Sequence, residues 1–235
     1  MTTLDPVNGA VSKEAILWIK SHPHVLITEF ASPEKYPSEK QPVSFFLAGS
    51  PGAGKTESAL AIIESGVPAV HIDADEIRKF IPMFHGTNAE EVQGAAALGV
   101  EKLYDHVLKS RQSCILDGTF TPCAKAELNV QRSLKAGRRI HIVYVFQPPL
   151  IAWEYTKIRA QRLGRSVPKE IFIRAFFEAP RNVMNIKQKY GEQVIVDAIE
   201  KNYESKTERS INDIEQFDED LNKSYNISDL QGQLS

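Results

Sequence analysis

The chain has 235 residues, of which 42% are hydrophobic and 25% charged, a composition typical of a folded α/β domain and not of a disordered chain. Its net charge of −2 gives no overall basic footprint for nucleic acid. Two cysteines are too few for a disulfide framework, and neither a signal peptide nor an apolar run of membrane-spanning length is visible, so we expect a cytoplasmic protein that binds no membrane.

The first 42 residues are predicted to form a lead-in to the main domain. Apolar residues at helical spacing from Val11 to Ser21 predict one helix, and the three prolines between residues 32 and 42 predict a connecting loop. The main domain is expected to cover residues 43–200. Residues 201–235 are polar and acidic and are expected to form a C-terminal extension, in which Ile211, Ile214 and Phe217 have a modest helical spacing.

A short apolar run, VSFFLA at residues 43–48, predicts a strand buried on both faces. It leads into GSPGAGKT, and residues 57–64 (ESALAIIE) then predict a helix that ends near Gly66. The eight residues between strand and helix match the pattern G-x-x-x-x-G-K-[ST]. Strand, loop and helix therefore predict a phosphate-binding loop for ATP, made of Gly49, Ser50, Pro51, Gly52, Ala53, Gly54, Lys55 and Thr56.

Within this loop, Lys55 is expected to reach the β- and γ-phosphates and the Thr56 hydroxyl to bind Mg²⁺. The helix N-terminus adds the positive end of its dipole. The alternative is a glycine-rich turn without a ligand, which does not explain why a lysine follows the glycine.

A second apolar run at residues 67–72 predicts a strand that ends in an acidic cluster. Asp73 and Asp75 follow it, and ligands collect at the carboxyl ends of parallel strands, so this cluster is expected to face the phosphate loop. Both side chains would point the same way if the strand continued through them. The alternative is that one aspartate only caps the next helix.

Residues 88–112 predict one long helix, with Glu101 and Asp105 one turn apart on one face; solvated surface is the alternative for both. The third strand, residues 113–116, ends in Asp117-Gly118-Thr119, where turn formation alone would also explain the sequence. Arg139 to Phe146 predicts the fourth strand, and residues 193–199 predict a fifth.

A basic helix is predicted from Leu150 to Leu163, and it carries Arg159; Arg165 follows in the next loop. Guanidinium groups beside a glycine hinge indicate a lid that closes on a transferring phosphoryl group. A solvated basic helix face is the alternative. Lys169 to Tyr190 predicts a further amphipathic helix.

Taken in this order, the elements from about residue 44 to residue 199 resemble the zeta toxin family. The resemblance implies a P-loop kinase fold, an α/β architecture with a mostly parallel central sheet of five or more strands flanked by helices. It also implies transfer of the γ-phosphate of ATP, with Mg²⁺, to a sugar hydroxyl of UDP-N-acetylglucosamine. A family member is the toxin of a toxin–antitoxin system, so the resemblance implies an antitoxin protein as a partner.

The resemblance also implies roles for individual residues. Asp75 corresponds to the general base, and Arg159 and Arg165 correspond to the arginines that act with Lys55 on the phosphates. Contacts with the acceptor would come from Asp73, Glu101, Asp117 and Thr119. Asp117 occupies a position where the family usually has glutamate.

Three alternatives remain open at this stage. Related phosphotransferases with this architecture act on chloramphenicol or other hydroxylated acceptors, and NAD or a nucleoside is a further candidate. A nucleotide switch or an ATP-driven motor is the second alternative, although a GTPase would need Asn-Lys-x-Asp, whereas Asn222-Lys223 continues with Ser224-Tyr225. A catalytically weak nucleotide-binding partner protein is the third alternative, and acceptor-dependent release of ADP would distinguish it from a kinase.

Overall fold

The computed structural model describes residues 6–163, 166–202, 207–215 and 225–234. Its described strands form a six-stranded sheet in the order β2-β3-β1-β4-β5-β6. Every neighbouring pair is parallel except β5 with β6. The predicted α/β fold with a mostly parallel sheet is therefore confirmed. The strands are β1 (Val43–Ala48), β2 (Val70–Asp73), β3 (Cys114–Asp117), β4 (Arg139–Phe146), β5 (Val194–Asn202) and β6 (Thr207–Ile211).

Helices cover both faces of this sheet. They are α1 (Pro6–Ser21), α2 (Pro23–Phe30), α3 (Lys55–Glu64), α4 (Ala74–Lys79), α5 (Gln93–Ser110), α6 (Cys123–Lys135), α7 (Pro149–Leu163), α8 (Lys169–Tyr190) and α9 (Ile227–Gln233).

Alternate residues of the central strands enter two different cores. Phe46 and Ile142 belong to the large core, whereas Leu47 and Val143 pack with Ala59 of α3 in the second core. Side chains that alternate along a strand leave opposite faces of the sheet, so strands that are apolar at consecutive positions must be covered on both sides. Burial on both faces fixes the position of β1 and so of the loop that follows it.

The N-terminal segment differs from the prediction of one helix and a loop. It contains two helices, and α2 begins with Pro23 at its first position, where the missing N–H costs nothing. Ala15, Ile19 and Leu26 are completely buried in the large core. Gly99 of α5 permits this close packing, because a Cβ there would lie 3.2 Å from Leu26 Cδ1.

The helical spacing noted near the C-terminus was misleading. Ile211 is the last residue of β6, and the backbone N–H of Ile214 donates to Val196 O at 2.7 Å. Phe217 lies outside the described residues. Pairing with the edge of β5 thus outweighs a weak local helical preference. Among the described helices, none has the length and the apolar character that a membrane span needs.

Candidate active site

The phosphate loop connects β1 to α3 and requires glycine at two positions. A Cβ on Gly49, which has φ +138°, would lie 2.3 Å from Val145 O. A Cβ on Gly52, with φ +76°, would lie 2.0 Å from Ala152 O of α7. Both conformations and both approaches exclude an ordinary side chain. Positive φ at glycines is the backbone conformation with which loops of this kind present successive N–H groups to phosphate oxygens.

Lys55 begins α3 and folds back over the loop. Its Nζ donates to Ser50 O at 2.7 Å and to Gly49 O at 3.2 Å. Burial is the main reason that the pKa of Lys55 falls from 10.5 to about 8, with the charge of Asp117 opposing the shift. Lys55 is therefore still mainly protonated at neutral pH, and phosphate oxygens would give its ammonium stronger, charge-assisted bonds than these carbonyls do.

Asp73 caps α4. Strand β2 ends at this residue, and its Oδ1 accepts a hydrogen bond from Asp75 N at 2.9 Å. The strand does not continue to Asp75, so the two aspartates do not share one strand row, and Asp73 caps the helix. Burial, followed by the charge of Asp117, raises the pKa of Asp73 to about 6.

This raised pKa predicts that Asp73→Asn stabilises the metal-free protein at neutral pH by about 3 kcal/mol. Asparagine keeps the cap and carries no charge. Since the folded pKa lies above the unfolded one, the parent loses stability as pH rises from about 4 to about 6, and the variant does not. Urea unfolding in EDTA at pH 7.5 and pH 4.5 measures the difference. An equal gain at both pH values would contradict this account.

Asp75 lies in the first turn of α4 and is paired with two arginines. Its Oδ1 accepts from Arg78 Nη1, and its Oδ2 accepts from Arg159 Nη2 of α7. The side chain of Arg78 is 3% exposed and that of Arg159 is 40% exposed. Arg159 can therefore change its partner, whereas the loss of the ion pair with Arg78 would leave a buried guanidinium without a counter-charge. Arg78 also donates to Gln93 Oε1 at 2.6 Å. The structure thus brings Asp75 and Arg159 together, as a shared site requires.

Asp117 lies at the end of β3, directly beside β1 and opposite Asp73 of β2. Its Oδ2 accepts from Thr56 Oγ1 at 2.8 Å and lies 3.3 Å from His71 Nε2. Burial would raise the pKa of Asp117, but the hydrogen bond from His71, the charge of Lys55 and the hydrogen bond from Thr56 hold it below its ordinary value. Sequence reasoning missed His71, although its place two residues before Asp73 on a strand was a usable signal.

A cleft of about 920 Å³ joins these groups. Its polar walls carry the phosphate loop, both aspartates of the acidic cluster, Asp117 and Thr119, and Arg159 of α7 also lines it. Thr119 Oγ1 lies 2.6 Å from Thr121 Oγ1. At its mouth, three partly exposed apolar side chains of α7 and α8 also line the cleft: Tyr155, Ile158 and Ile171.

Among the residues predicted to contact the acceptor, Glu101 lies apart from this cleft. Glu101 is not among the described lining residues, and its carboxylate pairs with Lys125 and Arg132. The helix that carries it begins at Gln93, later than predicted, and presents Glu101 to α6 instead. Arg165 lies outside the described residues.

The oxygen atoms near the phosphate loop suit Mg²⁺. Thr56 Oγ1 and a carboxylate oxygen of Asp117 are 2.8 Å apart, and Asp73 follows on the neighbouring strand. Hydroxyl and carboxylate oxygens are the ligands that this ion takes beside a nucleotide. These residues therefore fit the ion that an ATP-dependent reaction requires.

Similarity to known proteins agrees with this geometry. Among solved structures, the chain is similar to one from the PezAT chromosomal toxin–antitoxin system of Streptococcus pneumoniae, with 17% identity, 94% of this chain and 87% of that chain covered, and a TM-score of 0.63. It is also similar to a structure of the AvrRxo1-ORF1:AvrRxo1-ORF2 complex with sulphate ions. This match has 13% identity, covers 97% of this chain and 71% of that chain, and has a TM-score of 0.61. The ATP complex of that pair gives 12% identity, the same coverage and a TM-score of 0.60.

At these identities the solved structures establish a common fold. No curated protein matches the chain. The family model described as "Zeta toxin" matches residues 27–214, which is most of the sequence and includes every described strand and the whole cleft. The chain therefore belongs to the Zeta toxin family.

Proposed function

We propose that this protein is an ATP-dependent kinase that phosphorylates a hydroxyl of a small acceptor, a nucleotide sugar such as UDP-N-acetylglucosamine. The observation that carries the proposal is the cleft itself, which is lined both by the phosphate loop and by a buried carboxylate, Asp75, that is paired with Arg159. The family match and the ATP-bound neighbour support ATP as the donor.

On the donor side, the loop amides and Lys55 would bind the β- and γ-phosphates. Thr56 and Asp117 would hold Mg²⁺, which when bound neutralises charge on the phosphates. Asp117 was expected to contact the acceptor, but its hydrogen bond to Thr56 favours a role on the metal side. Positioning and charge neutralisation account for most of the catalysis that such a site provides.

On the acceptor side, Asp75 would accept the proton of the attacking hydroxyl. The acceptor oxygen then bonds to the γ-phosphorus while the bond from that phosphorus to the oxygen of ADP breaks. Arg159 occupies one oxygen of Asp75 in the structure. Because the guanidinium of Arg159 is the more exposed of the two partners, we infer that it turns to the γ-phosphate when ATP binds and leaves that oxygen for the hydroxyl.

The cleft suits an acceptor that has both hydroxyl groups and a ring. Thr119 and Thr121 offer hydroxyls near the acidic cluster, and Tyr155 and Ile158 offer apolar surface at the mouth. A sugar with an attached nucleobase has both characters. The ion pairs of Glu101 leave it no acceptor contact in this proposal.

Incubation with Mg·ATP and a panel of acceptors tests the proposal. The panel contains UDP-N-acetylglucosamine, other nucleotide sugars, nucleosides, NAD and chloramphenicol, and mass spectrometry detects the gain of one phosphate. Release of ADP that depends on one acceptor supports a kinase and identifies its substrate. ATP binding without any acceptor-dependent ADP would instead favour a nucleotide-binding partner protein.

As a zeta toxin, the protein is also proposed to arrest growth and to bind an antitoxin. The neighbours named above come from a toxin–antitoxin system and from a two-protein complex, which supports such a partner. The growth of cells in which the parent is induced is compared with the growth of the same strain in which Lys55→Ala is induced. Equal growth of both cultures would argue against a toxic kinase.

Arg159→Lys should lower the rate of transfer at least ~10-fold, because an ammonium cannot reproduce the planar fork that binds both a carboxylate and phosphate oxygens. The matched control is Lys157→Ala on the same helix, whose ammonium pairs with Glu154 at 2.7 Å. Steady-state ADP release with the identified acceptor measures both variants. Equal rates for Arg159→Lys and the parent would favour a solvated basic face for α7.

A further inference from the structure

His71 lies beside the acidic cluster, and the proposed phosphoryl transfer gives this residue no role. It lies on β2 two residues before Asp73, so both side chains leave the same face of the sheet. The β2–β3 register pairs Asp73 with Asp117. One ligand atom from each of His71, Asp73 and Asp117 lies within 4.8 Å of the other two.

We propose that His71, Asp73 and Asp117 bind a divalent transition-metal ion in the absence of nucleotide, and that the imidazole makes this site prefer Mn²⁺ or Co²⁺ to Mg²⁺. This inference concerns metal binding by the protein alone and does not depend on the acceptor or on phosphoryl transfer.

Distances within the cluster fit a shared ion. Two ligands about 2.1 Å from one ion are about 3.0 Å apart when adjacent and about 4.2 Å apart when opposite. His71 Nε2 is 3.3 Å from Asp117 Oδ2, and Thr56 Oγ1 is 2.8 Å from the same oxygen. The Asp73 oxygen lies within 4.8 Å of the other two ligand atoms, and the broad terminal torsion of a carboxylate lets that oxygen approach a shared ion. Thr56 would supply a further oxygen ligand.

The charges around the cluster also favour a cation. Asp73 and Asp117 bring two carboxylates together, and both are largely shielded from solvent, with Asp73 7% exposed. The ammonium of Lys55 donates to two backbone carbonyls of the phosphate loop. Two carboxylates and an imidazole that converge on one point form a ligand set that binds divalent ions.

The nitrogen ligand gives the site its selectivity. Mg²⁺ takes oxygen ligands almost exclusively, whereas imidazole binds the later first-row ions well and tolerates Mn²⁺. If His71 instead only orients Asp117 through their hydrogen bond, removing the imidazole would leave metal preference unchanged. Removal of the His71 imidazole therefore distinguishes a metal ligand from a residue that only orients Asp117.

Direct metal binding tests the proposal. The protein is treated with EDTA, desalted and titrated with Mn²⁺ without nucleotide, and the free ion is measured by electron paramagnetic resonance. We expect one Mn²⁺ per chain, a Kd raised at least ~10-fold in His71→Gln, and a comparable loss in Asp73→Asn, which keeps the helix cap. With Co²⁺, the visible absorption band should change in His71→Gln.

His141→Gln is the matched control, because His141 is also a partly buried strand histidine beside an aspartate, 3.5 Å from Asp197. Its Mn²⁺ affinity should equal that of the parent. In the parent, Mg²⁺ should displace Mn²⁺ only when Mg²⁺ is present in large excess. In His71→Gln, a smaller excess of Mg²⁺ should be sufficient. Equal Mn²⁺ affinity of His71→Gln and the parent, or no Mn²⁺ bound by the folded parent without nucleotide, would overturn the proposal. Lys55→Ala should retain the ion, which separates this outcome from failure of the kinase.

Discussion

Lys55→Ala is expected to lower acceptor phosphorylation by at least ~10³-fold, since it removes the principal cation from a preorganised phosphate site. The ammonium folds back over the loop and donates to the carbonyl oxygens of Gly49 and Ser50. ATP affinity and single-turnover transfer, measured with the identified acceptor, give the effect on binding and on chemistry separately.

Folding should survive this change, because alanine removes a buried charge whose desolvation already lowers the pKa of Lys55 to about 8. Lys79→Ala is the control on the neighbouring helix α4, where the ammonium pairs with exposed Glu76. Near-parental transfer by a folded Lys55→Ala protein would remove the basis for a phosphate loop here.

Asp75→Asn should retain ATP binding and lose acceptor phosphorylation by about 10²- to 10⁴-fold, the range expected for a general base. Asparagine keeps the shape of the side chain but cannot take a proton. The measurement pairs nucleotide affinity with acceptor-dependent ADP release. Glu76→Gln, at the next position of the same helix turn, removes a carboxylate that also lines the cleft and should leave the rate nearly unchanged.

Stability must be measured beside this rate, because Asp75 also neutralises the buried guanidinium of Arg78. Breaking a buried ion pair can cost about 3–5 kcal/mol, although Arg78 keeps its hydrogen bond to Gln93. If a folded Asp75→Asn protein kept the parental rate and Asp73→Asn were inactive, the general base would be Asp73 and not Asp75. Unchanged turnover in both would leave the mechanism without a base.

The phosphate loop and the acidic cluster were predictable because local rules fix them. Gly49, Gly52 and Gly54 adopt positive φ, and the lysine that follows has no role in a plain turn. Ligands collect at the carboxyl ends of parallel strands, so the segment after β2 was expected at the same edge of the sheet. The capping role of Asp73 was not predictable in the same way, because it depends on the exact residue at which β2 ends, and the ends of elements are hard to locate from sequence.

The contacts that depend on distant pairing were not predictable. The hydrogen bonds from His71 and Thr56 to Asp117 require the register of β2, β3 and β1, which no local pattern specifies. Glu101 was assigned through resemblance alone, whereas its direction depends on the rotation of α5 about its axis. Its partner Arg132 comes from α6, a helix that sequence reasoning did not identify.

The contact between Gly52 and α7 has a consequence for how tolerant the site is to mutation. Gly52 abuts the carbonyl of Ala152 so closely that a Cβ would meet it at 2.0 Å, and Thr156 follows one turn later at 3.2 Å. Arg159 extends from the same helix, so the helix that supplies the arginine is seated on the turn that would surround the phosphates. A methyl group at Gly52 would therefore separate the loop from the helix that carries Arg159, and so disturb both parts of the proposed site without altering the residues that act in it.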